Sequence, residues 1–167
     1  MVLTQMLEDV INFTETPINE ANFTEECRKE LEQKGVVTLH NFLKPETIKE
    51  LVHEAKSHSG LAYFTNSTHN VYLTPRNETL SPEHVFNRQL TSSKGCITTD
   101  QIPEASKLKK LYFSDIFKKF ICRVVGETDL YEYADPLSSI NVHYAAEGQE
   151  LNWHFDNSKF AITLLLQ

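Results

Sequence analysis

Several things are missing from this chain, and each absence removes a class of function. No stretch approaches the roughly 18 consecutive apolar residues of a membrane span, so a membrane partner is not expected. The opening "MVLTQMLEDV" has no basic segment ahead of a long apolar one, which argues against a leader peptide. Only three cysteines occur, Cys27, Cys96 and Cys122; the odd number and the lack of a CxxC pair fit neither a disulfide framework nor a zinc knuckle, and point to reduced thiols in the cytoplasm. Clustered positive charge is scarce as well. A net charge of −7 with acids and bases intermixed argues against a nucleic-acid partner. The one basic patch, "KLKKLYFSDIFKKF" (107–120), has the spacing of a solvated helix face. Neither an internal repeat nor a low-complexity tract is present. Sequons at Asn12, Asn22, Asn66 and Asn77 would carry meaning only in a secreted protein.

The composition that remains, 40% hydrophobic and 23% charged over 167 residues, suits a single globular domain with one sizeable core. "NFTEECRKELEQKG" (22–35) predicts a helix with a Thr cap and a stop at Gly35, and "VVTLHNFL" (36–43) a strand. "KPETIKELVHEAKSHSG" (44–60) predicts a second helix opening at Pro45, with Ile48, Leu51, Val52 and Ala55 on one face. Residues 61–105, broken by Pro75, Pro82 and Pro103, read as a long loop region holding one or two brief strands, and a loop of that length inside a domain is more often functional than not. "SKLKKLYFSDIFKKFICRVVG" (106–126) predicts one long helix with Leu108, Leu111, Tyr112, Ile116, Phe120 and Val124 toward the core. Strands are predicted afterwards at "LYEYA", "SINVHYA" and "FAITLLLQ". Helices first and strands last imply an α+β fold, a helical region 1–126 packed on a sheet or barrel formed by 127–167.

The chemistry concentrates in "NWHFDNSKF" (152–160). On an extended segment residues i and i+2 share a face, so His154 and Asp156 aim an imidazole and a carboxylate at one point. That is two-thirds of the facial triad that holds non-haem iron. The pair alone is a weak signal, because a His and an Asp two apart arise readily by chance. No other histidine shows ligand spacing to a second one.

The wider stretch "INVHYAAEGQELNWHFDNSKFAITLLLQ" resembles the first half of the jelly-roll core of Fe(II)- and 2-oxoglutarate-dependent oxygenases of the prolyl-hydroxylase-like type. Tyr144, Gly148 and His154-Phe155-Asp156 follow one another as they do there. Upstream, from His84 to Val142, the chain is similar to a bacterial subgroup of free amino-acid hydroxylases and related halogenases, so the resemblance covers residues 84–167. It implies a double-stranded β-helix of which this chain holds the first strands. It also implies Fe(II) on His154 and Asp156, 2-oxoglutarate as co-substrate and ascorbate as reductant. Halogenases of the subgroup lack the carboxylate; Asp156 is present, which implies hydroxylation of a small molecule, a free amino acid being the first choice.

By the same resemblance Tyr144 would donate to 2-oxoglutarate, with packing as its alternative, and Asn141 is a weaker candidate on the same strand. An amino-acid carboxylate needs a cation with two donors, and Arg76 and Arg88 in the long loop are the candidates; an ordinary surface role is the alternative for both. Trp153 is a candidate pocket wall, with core packing as its alternative, while Asn157 and Ser158 are either partners that orient the ligands or turn residues. The family's second metal histidine and its 2-oxoglutarate arginine match no position here, so this chain by itself is expected to be inactive. Two explanations remain: a front piece completed by a C-terminal segment or by self-association, or a truncated relative that binds without catalysis. A hydrolytic zinc site on the same two residues is the third reading.

Overall fold

The computed structural model describes residues 7–167, and the leader reading of the first ten residues falls mostly outside them. Among the described residues, four α-helices and a three-stranded antiparallel sheet give a mixed α and β fold. The chain gathers into two compact units. One runs through Ser57 and takes in Thr98–Ile140 and Leu166–Gln167; the other consists of His58–Ile97 and Asn141–Leu165. The division does not follow the boundary expected after residue 126, because the stretch expected to be mainly loop joins the late strand in one unit.

The first unit is helical. Helix α1 (Ala21–Lys34) stops where Gly35 adopts a φ of 73° and its N–H reaches the Leu31 carbonyl, as predicted. Thr24 is not its cap: the helix begins at Ala21, and the Thr24 hydroxyl donates back to the Glu20 carbonyl at 2.9 Å. Helix α2 (Pro45–His58) opens at Pro45, where a missing N–H is harmless. Leu51 of its apolar face is buried, whereas Ile48, Val52 and Ala55 are half-buried. The single helix predicted over 106–126 is in fact two, α3 (Lys107–Tyr112) and α4 (Asp115–Val124). Ser114 ends the continuity by accepting the N–H groups of Ile116 and Phe117, a cap inside an unbroken apolar period. Leu111, Phe120 and Val124 are buried, and Phe120 stacks on Phe23 of α1 with ring centroids 6.2 Å apart. The strand predicted at 36–43 is not formed: Asn41 turns to a φ of 54°, and only Leu43 makes a bridge, to Ile11. "LYEYA" is likewise no strand. Tyr131 and Tyr133 are exposed, and the Tyr133 N–H meets the Tyr112 hydroxyl at 3.2 Å.

The second unit carries the sheet: β1 (Tyr63–His69), β2 (Leu90–Ile97) and β3 (Val142–Tyr144), with β2 in the middle. Tyr63 lies opposite Cys96 and His69 opposite Leu90, while Gly95 lies opposite Tyr144. The predicted strand "SINVHYA" is cut to three residues. Past it the chain bulges through a turn at 146–149 and returns to β2, where the Ser93 N–H donates to the Glu150 carbonyl at 2.7 Å and Leu151 bridges Ser92. The strand expected at "FAITLLLQ" pairs with no other among the described residues, so its apolar run is not realised as a ladder. A jelly roll needs two sheets; the described residues form one.

Candidate metal and substrate site

The arm 152–156 is fixed to the sheet by Asn152. Its N–H donates to Ser92 Oγ at 3.2 Å and its Nδ2 to the Thr91 carbonyl at 2.6 Å. Two residues on, His154 Nδ1 lies 2.8 Å from the Asn152 carbonyl. A carbonyl only accepts, so Nδ1 carries a proton, and Nε2 is the nitrogen left to face the carboxylate. That nitrogen sits 3.3 Å from Asp156 Oδ1, the convergence expected from the two-residue spacing. Two acceptors at this distance repel each other unless a proton or a metal cation is shared between them. An imidazole with its far nitrogen bonded to a carbonyl, next to a carboxylate, is a donor set suited to a divalent transition metal. Among the described residues no third His, Cys, Asp or Glu completes a metal-holding group.

His69 is the residue that sequence spacing could not point to. Its ring meets that of His154 edge to face, centroids 5.6 Å apart and planes at 80°. Its Nδ1 is 2.9 Å from the Asn70 carbonyl and its Nε2 2.7 Å from Ser92 Oγ. The same carbonyl logic makes Nε2 the acceptor, so the Ser92 hydroxyl donates to His69 while accepting the Asn152 N–H. Ser92 thereby ties β1, β2 and the arm together. Ser92 lies 23 positions from His69 and 60 from Asn152, and no local pattern announces these contacts.

His69 also walls a cavity of about 580 Å³ whose lining includes Thr68, Thr74, Arg76 and Gln89. Of the two candidate arginines the structure therefore brings Arg76 to a cavity, while Arg88, also exposed, is not part of this lining. The loop that closes the cavity is held by two buried amides. Asn70 Oδ1 accepts the N–H groups of Tyr72 and Thr74, and Asn87 accepts from the Asn77 N–H while its Nδ2 serves the carbonyls of Asn77, Leu80 and Ser81.

The remaining candidates lie elsewhere. Trp153 is 85% exposed, so it is neither core nor pocket wall. Strand alternation puts Tyr144 with Phe64 and Gly95 on one face of the sheet and His69 with Ser92 on the other, so Tyr144 and His154 are not brought together by the register. Phe64 crosses Gly95 so closely that an added Cβ there would stand 2.7 Å from its ring. Asn141 accepts from Cys96 Sγ at 3.5 Å, and Asn157 and Ser158 are exposed in a bend. Burial pushes the Cys96 thiol up despite the Lys94 charge. His143, opposite Cys96, is held below the ordinary imidazole value by partial desolvation and then by Lys94. All three cysteines are free thiols, and no helix among the described residues is long and apolar enough to cross a membrane.

Comparison of the chain with protein-family models, with curated proteins and with solved structures gave no match in any of the three.

Proposed function

We propose that the chain carries the His-x-Asp arm of a jelly-roll Fe(II)- and 2-oxoglutarate-dependent oxygenase that hydroxylates a small carboxylate substrate, a free amino acid first among them. The observation that carries this reading is the pair itself: His154 Nε2 faces Asp156 Oδ1 at 3.3 Å with Nδ1 committed to the Asn152 carbonyl. The antiparallel order around β2 and the return of residues 150–152 to that strand are in keeping with the start of such a barrel. Iron with 2-oxoglutarate and O₂ would supply the oxidation of a C–H bond, one oxygen atom of O₂ going to the substrate hydroxyl and the other to the succinate formed as CO₂ is lost, with ascorbate keeping the iron reduced.

This chain's own residues then have separate tasks. His154 and Asp156 bind the metal; Asn152 holds the imidazole in the tautomer that presents Nε2. Arg76 pairs with the substrate carboxylate in the cavity, and Thr68, Thr74 and Gln89 offer hydrogen bonds to its polar groups. His69 stands between cavity and arm. A ligand-binding module without catalysis is the second reading, favoured by one observation: the lining of the cavity includes neither His154 nor Asp156.

Anaerobic titration with Co(II), a spectroscopic substitute for Fe(II), tests the first reading. His154→Ala and Asp156→Ala should each weaken binding by roughly 100-fold or more, beyond what loss of an outer partner does. Wild-type affinity in both variants would leave only the binding module.

A further inference from the structure

We infer that Tyr72 is a positioning residue for the His154–Asp156 pair: the ring stack Phe86–Tyr72–Phe155 holds the arm that bears the pair against the turn that walls the cavity. The inference rests on the metal-binding reading above. Phe155 lies between the two ligands, and on an extended arm its side chain points away from both. Its ring stacks on Tyr72 with centroids 5.5 Å apart and planes at 20°, and Tyr72 stacks in turn on Phe86 at 5.2 Å and 25°. The Phe155 N–H donates to the Val71 carbonyl at 2.7 Å. The arm is thus gripped at its middle residue by one ring and one backbone bond, while the ligands face the other way.

The turn that supplies this grip is itself rigid. Asn70, 1% exposed, caps it through Oδ1, the Leu73 N–H closes onto the Asn70 carbonyl at 3.1 Å, and Leu73 takes a φ of 54° that a branched side chain adopts only when its surroundings demand it. Leu73 and Thr74, the next residues along, line the cavity. One short turn therefore meets the arm on one side and the cavity on the other, and Tyr72 is its contact with the arm. Tyr72 is 45% exposed and Phe155 64%. A stack this open to water adds little to folding, which separates a positioning role from a core role.

The test uses the full chain with Tyr72→Leu, which removes the stack, and Tyr72→Phe, which keeps it. Trp153, the only tryptophan, adjoins His154 and reports the arm directly. Tyr72→Leu should lower the fluorescence anisotropy of Trp153 in the absence of metal and weaken Co(II) binding about tenfold, the low end for loss of an outer partner. Its thermal midpoint should stay that of the wild type, and Tyr72→Phe should match the wild type throughout. Unchanged anisotropy and Co(II) affinity in Tyr72→Leu, with His154→Ala still deficient, would overturn the positioning role alone. Equal Co(II) binding by wild type and His154→Ala would overturn the metal reading and this inference with it.

Discussion

The two units bury different kinds of side chain. In the helical unit the fully buried residues are mostly apolar, among them Val10, Ile11, Leu51, Phe120 and Val124. In the sheet unit, Ile97 is the one large apolar side chain among the described residues that is fully buried, and Asn70, Asn87 and Ser92 take the interior places. Its big apolar groups, Tyr63, Phe64, Trp153, Phe155 and Ile162, are instead exposed. No buried side-chain polar atom among the described residues lacks a partner, so the polar interior is fully satisfied. One unit is held by area removed from water; the other by a specific set of hydrogen bonds that also shape a cavity and orient a histidine. Regions of that second kind open at lower free energy, and binding sites are commonly drawn from them. Exposed aromatic groups there are what a ligand or a partner segment would cover.

The largest effect that could break this contrast lies in the helical unit. Phe120→Ala should cost about 3–5 kcal/mol, followed by far-UV circular dichroism in denaturant, which reads the helices. In the sheet unit Asn87→Ala should cost about 1–3 kcal/mol by stranding the groups it serves, and should open residues 77–86 to protease. A larger loss from Asn87 than from Phe120 would show that the polar clasp, not the apolar core, dominates.

The smallest expected effect separates the units by acid sensitivity. His143 in the sheet unit has a folded pKa below 6.5, because desolvation and Lys94 disfavour its charged form. The unfolded chain takes up that proton first, so stability is full above 6.5 and declines as pH falls toward the folded value. Asp9 in the helical unit is lowered from 3.8, chiefly by its bond to Lys110 at 2.7 Å; its contribution is present above 3.8 and lost as pH falls through the lower folded value. In an acid titration the emission of Trp153 should therefore change at higher pH than the helical circular dichroism. Coincident midpoints, or a Trp153 midpoint that His143→Gln leaves in place, would rule out this order.

What could be read from the residues alone was local. Gly35 and Pro45 mark helix ends because φ and N–H constraints act on single positions. The period-2 rule brings His154 and Asp156 together for the same reason: neighbours on one extended arm need no other part of the chain. The cap at Ser114 is local as well, but the continuous apolar period hid it, and one helix was expected over 106–126 where two form. The strands were not local. "VVTLHNFL" and "FAITLLLQ" have the composition of strands, yet a strand exists only where a partner supplies its hydrogen bonds, and β1, β2 and β3 found theirs across gaps that no pattern encodes. Tertiary structure also decided the surroundings of the pair. His69, Ser92 and Tyr72 reach the arm from positions remote in sequence, and Arg76 rather than Arg88 meets the cavity because two buried amides, Asn70 and Asn87, fold the loop between them. Spacing along the chain determined which two side chains could share a point; only the long-range hydrogen bonds of the folded loop and sheet determined what stands around that point and which way the imidazole faces.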